Sequence, residues 1–162
     1  MHRERHKKQT ESWKQEYRSE FNSNIQHQTS NNMKYMKIIF RILLGVALLY
    51  AGIGHLTWLR QEFTAQVPQW MPLGTDLVVV LSGIVEIFLG ASLIFLYKWK
   101  NIVGWVVALF FIAIFPGNIS QYINEVDAFG LDSDRARLIR LFFQPVLVLW
   151  ALWSTGACKK HV

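Results

Sequence analysis

Residues 77–97 read LVVVLSGIVEIFLGASLIFLY, an apolar run with one carboxylate, Glu86, near its middle. A bilayer core of about 30 Å needs roughly 20 apolar helical residues, so this run is long enough to cross. At about 1.5 Å per residue, Glu86 lies some 15 Å beyond Asp76, close to the midplane. An ionisable group at that depth costs about 2.5–3.5 kcal/mol or more, so Glu86 should face other helices or a wet cavity, with a partner or a proton of its own. Gly83 and Gly90 stand three residues before it and four after. That spacing puts the carboxylate on a glycine-lined face where another helix can come close.

Three more apolar runs flank this one, giving spans at about residues 38–57, 77–97, 102–119 and 138–155. The first repeats the glycine pattern, with Gly45, Gly52 and His55 on one face. Its long basic leader and its exit, GIGHLTW, are unlike a cleaved signal peptide, so an uncleaved helix is expected. Arg41 near its start is expected to snorkel to the interface. Residues 58–75 are too interrupted by Pro68, Pro72 and Gly74 to span, and their aromatics suit a surface lid over the bundle. The third run ends in a Pro116-Gly117-Asn118 break, where freed backbone groups must find partners inside the protein. Residues 120–136 read as a polar loop in which Asp132 or Ser133 caps the last helix. In that helix Arg137, Arg140 and Gln144 share a face, and Pro145 is expected to kink it.

The expected fold is therefore all-α, a membrane-spanning antiparallel four-helix bundle over residues 36–157. Residues 1–35, polar and rich in Gln, Asn and Ser in their second half, are expected to form a disordered tail on the cytoplasmic side. Thirteen Lys and Arg fall at the two chain ends and in the Lys98/Lys100 turn, against four (Arg60, Arg135, Arg137, Arg140) on the other side. Cytoplasmic flanks carry the excess, so both termini are expected in the cytoplasm. The formal charge of +6 is explained by these flanks and not by nucleic acid. Seven Trp and eleven Phe fit a lipid setting.

With this topology His55, Asn118, Arg140 and Gln144 all lie toward the outer side, with Glu86 deeper, and should converge on a ligand or proton-exchange pocket in the outer half. His55 or Arg140 is expected next to Glu86. Each residue also has a structural reading. His55 can cap a helix end, Glu86 can be a protonated contact between helices, Asn118 can cap the Pro116 break, and Arg140 can snorkel. One His and one Glu within the spans are too few for a closed metal site. The single cysteine, Cys158, cannot form a dithiol relay alone, and no nucleophile elbow, P-loop or dinucleotide fingerprint is present.

Taken in order, GVALLYAGIGHLT (45–57), the P-x-W-x-P loop (68–72), LVVVLSGIVEIFLGASLIF (77–95), IAIFPGNIS (112–120) and RLFFQPVLVLWALW (140–153) resemble the DoxX-like family of small bacterial four-helix membrane proteins. The resemblance covers residues 36–155, with Gly117 where many relatives carry Ala. It implies a protein of the bacterial cytoplasmic membrane. The family is named for a membrane subunit linked to a thiosulfate:quinone oxidoreductase, and relatives are discussed as anchors of redox or detoxification assemblies. Quinone is the cofactor so implied, and soluble or membrane redox proteins the partners, with oligomers allowed. A non-catalytic scaffold is the alternative, and a proton-coupled permease a third reading that four helices make small for a transporter.

Overall fold

A computed structural model describes residues 2–68, 70–127, 130 and 133–158. Among these the chain is all-helical: α1 (His2–Leu56), α2 (Arg60–Gln66), α3 (Thr75–Phe95), a 3-10 turn (Tyr97–Trp99), α4 (Lys100–Ile123) and α5 (Asp134–Thr155). Four helices are long and apolar enough to cross a membrane, namely α3, α5, the Trp13–Leu56 part of α1, and α4 with the preceding turn. The chain divides into two units, Met1–Met36 and Lys37–Val162.

In the first unit, where a disordered polar tail is expected over residues 1–35, residues 2–36 are drawn into α1. Residues 13–36 are all exposed and bury no core, as their low hydrophobicity implies. Many of these residues are good helix formers, and a helix continuous with an apolar span needs no costly nucleus of its own. Tyr17 and Phe21 stack at 6.5 Å, one turn apart.

In the second unit, glycine sets the closest helix approach. A Cβ on Gly90 would lie 2.6 Å from the Gly45 carbonyl oxygen, and one on Gly52 would lie 2.7 Å from that of Gly83. The pairing of 45 with 90 and 52 with 83 fixes an antiparallel register between α1 and α3 that no larger residue permits. On the other side Gly104 of α4 seats the Thr155 side chain of α5. Phe40 of α1 meets the rings of Trp150 and Trp153 on α5 at 5.8 and 5.6 Å, and Trp150 Nε1 donates to the Phe40 carbonyl at 3.0 Å. Gly156, at φ 75°, ends α5 by donating its amide to Leu152 and Trp153, a left-handed cap that suits glycine.

The core lies toward the 97–99 turn: Leu44, Leu48, Leu89, Leu93, Val103, Val107, Phe111 and Ala151 form one buried cluster. Outward faces are apolar as well. Phe88 and Phe142 are each 69% exposed, as expected of side chains that meet lipid instead of water.

Two local expectations change, at Pro116 and at Arg41. The helix does not break at Pro116 but continues to Ile123, with the Asn124 backbone amide donating to the Ser120 carbonyl at 3.0 Å and its side-chain amide at 2.9 Å. Proline removes one hydrogen bond to the preceding turn, and the remaining ladder carries the helix past it. Arg41 does not snorkel outward; it is 5% exposed, with its guanidinium 5.1 Å from the Tyr97 ring centroid. Its start-of-span position suits water, but Tyr97 offers an aromatic face nearby. Ser133 caps α5 through the Ala136 amide, whereas Asp132 lies outside the described residues. α5 passes through Pro145 as one helix.

Candidate functional site: a lidded polar cavity

Beyond the packed core, toward α2, the four helices enclose a cavity of about 570 Å³. His55, Glu86, Asn118, Arg140 and Gln144 all line it. Each arrives from a different part of the bundle: His55 from the last turn of α1, Glu86 from the middle of α3, Asn118 from α4, and Arg140 and Gln144 one turn apart on α5. Their fixed depths follow from the helical rise, and their common direction from the glycine contacts that bring the helices together.

At the deepest point His55 Nε2 stands 3.4 Å from Glu86 Oε2, with both residues nearly fully buried at 6% and 5% exposure. The His55 ring stacks on Phe63 with centroids 3.3 Å apart. The Val79 carbonyl interacts with the imidazole at a geometry short of a full hydrogen bond, and neither His55 Nδ1 nor Glu86 Oε2 has a hydrogen-bond partner among the described residues. Buried polar atoms without partners are costly, so this pair is open to a donor or acceptor brought in from the cavity. One proton can reside on either member.

The amides are arranged differently. Asn118 Nδ2 donates to Gln144 Oε1 at 3.0 Å, and Gln144 Nε2 donates to the Phe111 carbonyl at 2.6 Å, next to the turn loosened by Pro116. Arg140 donates to Gln66 Oε1 at 2.9 Å, and Gln66 Nε2 donates in turn to Gln121 Oε1 at 2.9 Å. This second chain ties α2 to α4 and α5 and makes it a lid. The lid is also held at its start by Arg60, whose Nε and second guanidinium nitrogen reach both Asp76 oxygens at 2.8 and 2.6 Å. Those bonds hold the Arg60 pKa above its ordinary value, so the guanidinium stays charged.

Arg137 is not part of the site, although it shares a face with Arg140 in the sequence; it pairs with Asp127 and Asp134 at 2.7 Å each. Four contributors went unrecognised in the sequence: Phe63 against His55, Gln66 in the lid, Ser82 on the wall, and Gln121 behind Gln66. Ser82 lies four residues before Glu86 and Gln121 three after Asn118, so helical spacing carried a signal for both. Nothing local marked Gln66. Among the described residues no group of three His, Cys, Asp or Glu could hold a metal ion.

These features define an all-α bundle that fits a membrane protein, with a mostly apolar cavity holding a few polar side chains under a short helical lid. A family model described as a domain of unknown function, DUF8561, matches residues 44–155, most of the chain, and the chain belongs to that family. The matched range contains the cavity, the lid and all five polar residues named above, and leaves out the N-terminal unit. No curated protein and no solved structure matches the chain.

Proposed function

We propose that the protein is a DoxX-like integral membrane protein of the bacterial cytoplasmic membrane whose cavity binds a small lipid-soluble ligand, with quinone as the leading candidate. The observation that carries this reading is the buried His55–Glu86 pair on the wall of a mostly apolar cavity, with no hydrogen-bond partner among the described residues for His55 Nδ1 or Glu86 Oε2. A quinone headgroup would bring oxygens for the imidazole, the carboxyl and Arg140, and aromatic surface for Phe63 and Phe143. Reduction of a quinone takes up two electrons and two protons. His55 and Glu86 would pass the protons, and a redox protein partner would supply the electrons. On the Lys and Arg count both termini would lie in the cytoplasm, and the cavity would then lie in the outer half.

The test is organic extraction of the purified protein, followed by difference spectroscopy of the extract between oxidised and reduced forms. Quinone is expected at about one per chain in the wild type and at least tenfold less in Glu86→Gln. No copurifying ligand in either would refute the reading. Cysteine labelling of the two termini from one side only would refute the topology.

A second reading, a non-catalytic scaffold, is favoured by the Asn118–Gln144–Phe111 and Arg140–Gln66–Gln121 chains, whose members satisfy one another. It predicts that Glu86→Gln leaves cellular function intact.

A further inference from the structure

The N-terminal part of α1 buries no core, yet it is not polar all round. Trp13, Tyr17, Phe21 and Ile25 recur at every fourth residue and are 55%, 66%, 55% and 47% exposed. At about 100° per residue they share one face of the helix, within an arc of about 120°. The Tyr17 and Phe21 rings, stacked at 6.5 Å, lie along that line. An apolar stripe on a helix of this kind is built to meet something apolar.

The charges beside the stripe distinguish what it meets. Residues 13–21 read WKQEYRSEF, so a basic residue directly follows Trp13 and Tyr17, and a glutamate directly precedes Tyr17 and Phe21. One step along a helix turns about 100°, which sets Lys14 and Arg18 along one border of the stripe and Glu16 and Glu20 along the other. Within each border the like charges are four residues apart, a spacing that mildly disfavours a lone helix. A lipid surface is a poor match. The anionic headgroups that attract the basic border repel the acidic one, and the four charges are costly in hydrocarbon.

A second copy of the same helix matches in one direction only. Two parallel copies related by a twofold axis set each border against the opposite border of the other copy. Arg18 of one then stands level between Glu16 and Glu20 of the other, about 3 Å along the axis from each. An antiparallel pair would instead set basic against basic and acidic against acidic. Asn24 falls within the arc of the stripe, so a parallel pair also brings the two Asn24 amides together, where they can bond each other and fix the register.

We propose that residues 13–25 of α1 form a self-association surface on which a second copy of this chain pairs in parallel. Aromatic side chains fill the seam, and the two charged borders choose the direction. The surface lies in the N-terminal unit, outside the range of the family match, and stands whatever the cavity binds.

The experiment uses the full-length chain in neutral detergent with Cys158→Ser as background, and reads mass by native mass spectrometry and disulfide formation after mild oxidation. A dimer is expected, and Asn24→Cys should crosslink about tenfold faster than Ser19→Cys on the opposite face, because only a parallel pair in register brings the two copies of position 24 together. The double variant Glu16→Lys, Glu20→Lys makes both borders basic and should weaken the dimer about tenfold. Adding Lys14→Glu and Arg18→Glu exchanges the borders and should restore it. A monomeric protein, equal crosslinking at the two positions, a dimer untouched by the double variant, or no rescue by the full exchange would overturn the proposal. So would a monomer whose Asn24→Cys thiol is shielded from a water-soluble maleimide by phosphatidylglycerol bilayers, which would mark a stripe that faces lipid.

Discussion

The two halves of the bundle are built from the same four helices and pack in opposite ways. In the half nearer the 97–99 turn, leucine, valine and phenylalanine fill the space between helices, and glycines let backbones touch. In the half nearer α2, the same helices carry His, Glu, Asn, Gln and Arg, and the space between them stays open at about 570 Å³. Without water to drive helices together in lipid, close packing supplies the adhesion, and a polar group left unpaired is costly. One half holds the bundle together. The other half is therefore free to keep a hole.

The strongest way to break this contrast is to add bulk where backbones meet. Gly90→Leu places a Cβ 2.6 Å from the Gly45 carbonyl oxygen, which cannot move without its helix. A loss of about 3 kcal/mol is expected, enough to remove monodisperse protein on size-exclusion chromatography. Next comes a matched pair of truncations. Leu93→Ala, in the packed half and 1% exposed, is expected to cost about 3 kcal/mol, whereas Leu147→Ala on the cavity wall should cost about 1, because its space is already partly empty. Thermal melts in detergent check both, and equal costs would mean that the cavity half is as tightly packed as the other.

A smaller effect is expected from Gln144→Leu. It leaves the Asn118 amide and the Phe111 carbonyl without their side-chain partner, at a cost of about 1–2 kcal/mol by the same melts. Smallest, and opposite in sign, is Gly117→Ala. Its added Cβ would meet the Gln66 carbonyl oxygen at an ordinary 3.5 Å, so the substitution should gain up to about 0.5 kcal/mol from helix propensity. A glycine of the packed half tolerates no such change.

Much of this was legible in the sequence, and the exceptions have a common cause. Glu86 and His55 could be matched because each sits on a glycine-marked face at a depth set by counting residues. Gln66 could not, since its partner Arg140 is 74 residues away and no periodicity links a seven-residue lid to the helix it closes on. Arg41 was expected at the surface because a long basic side chain near a span end normally reaches water. Its burial depends on Tyr97, which comes from the turn between two other helices. For residues 1–35 composition speaks only to the core they cannot form, and not to the helix that a neighbouring span can extend into them.

By itself the sequence determined the four apolar helices, their alternating direction and the level at which each polar group enters the bundle. These follow from transfer energies and helical rise, quantities that accumulate along one segment without reference to any other. Only the tertiary structure decided that the lid reaches in to Arg140 and Gln121, that Arg137 turns away to Asp127 and Asp134, and that His55 Nε2 comes to 3.4 Å from Glu86 Oε2. Those outcomes depend on how closely separate helices approach, which glycine contacts and shape complementarity between distant stretches set together.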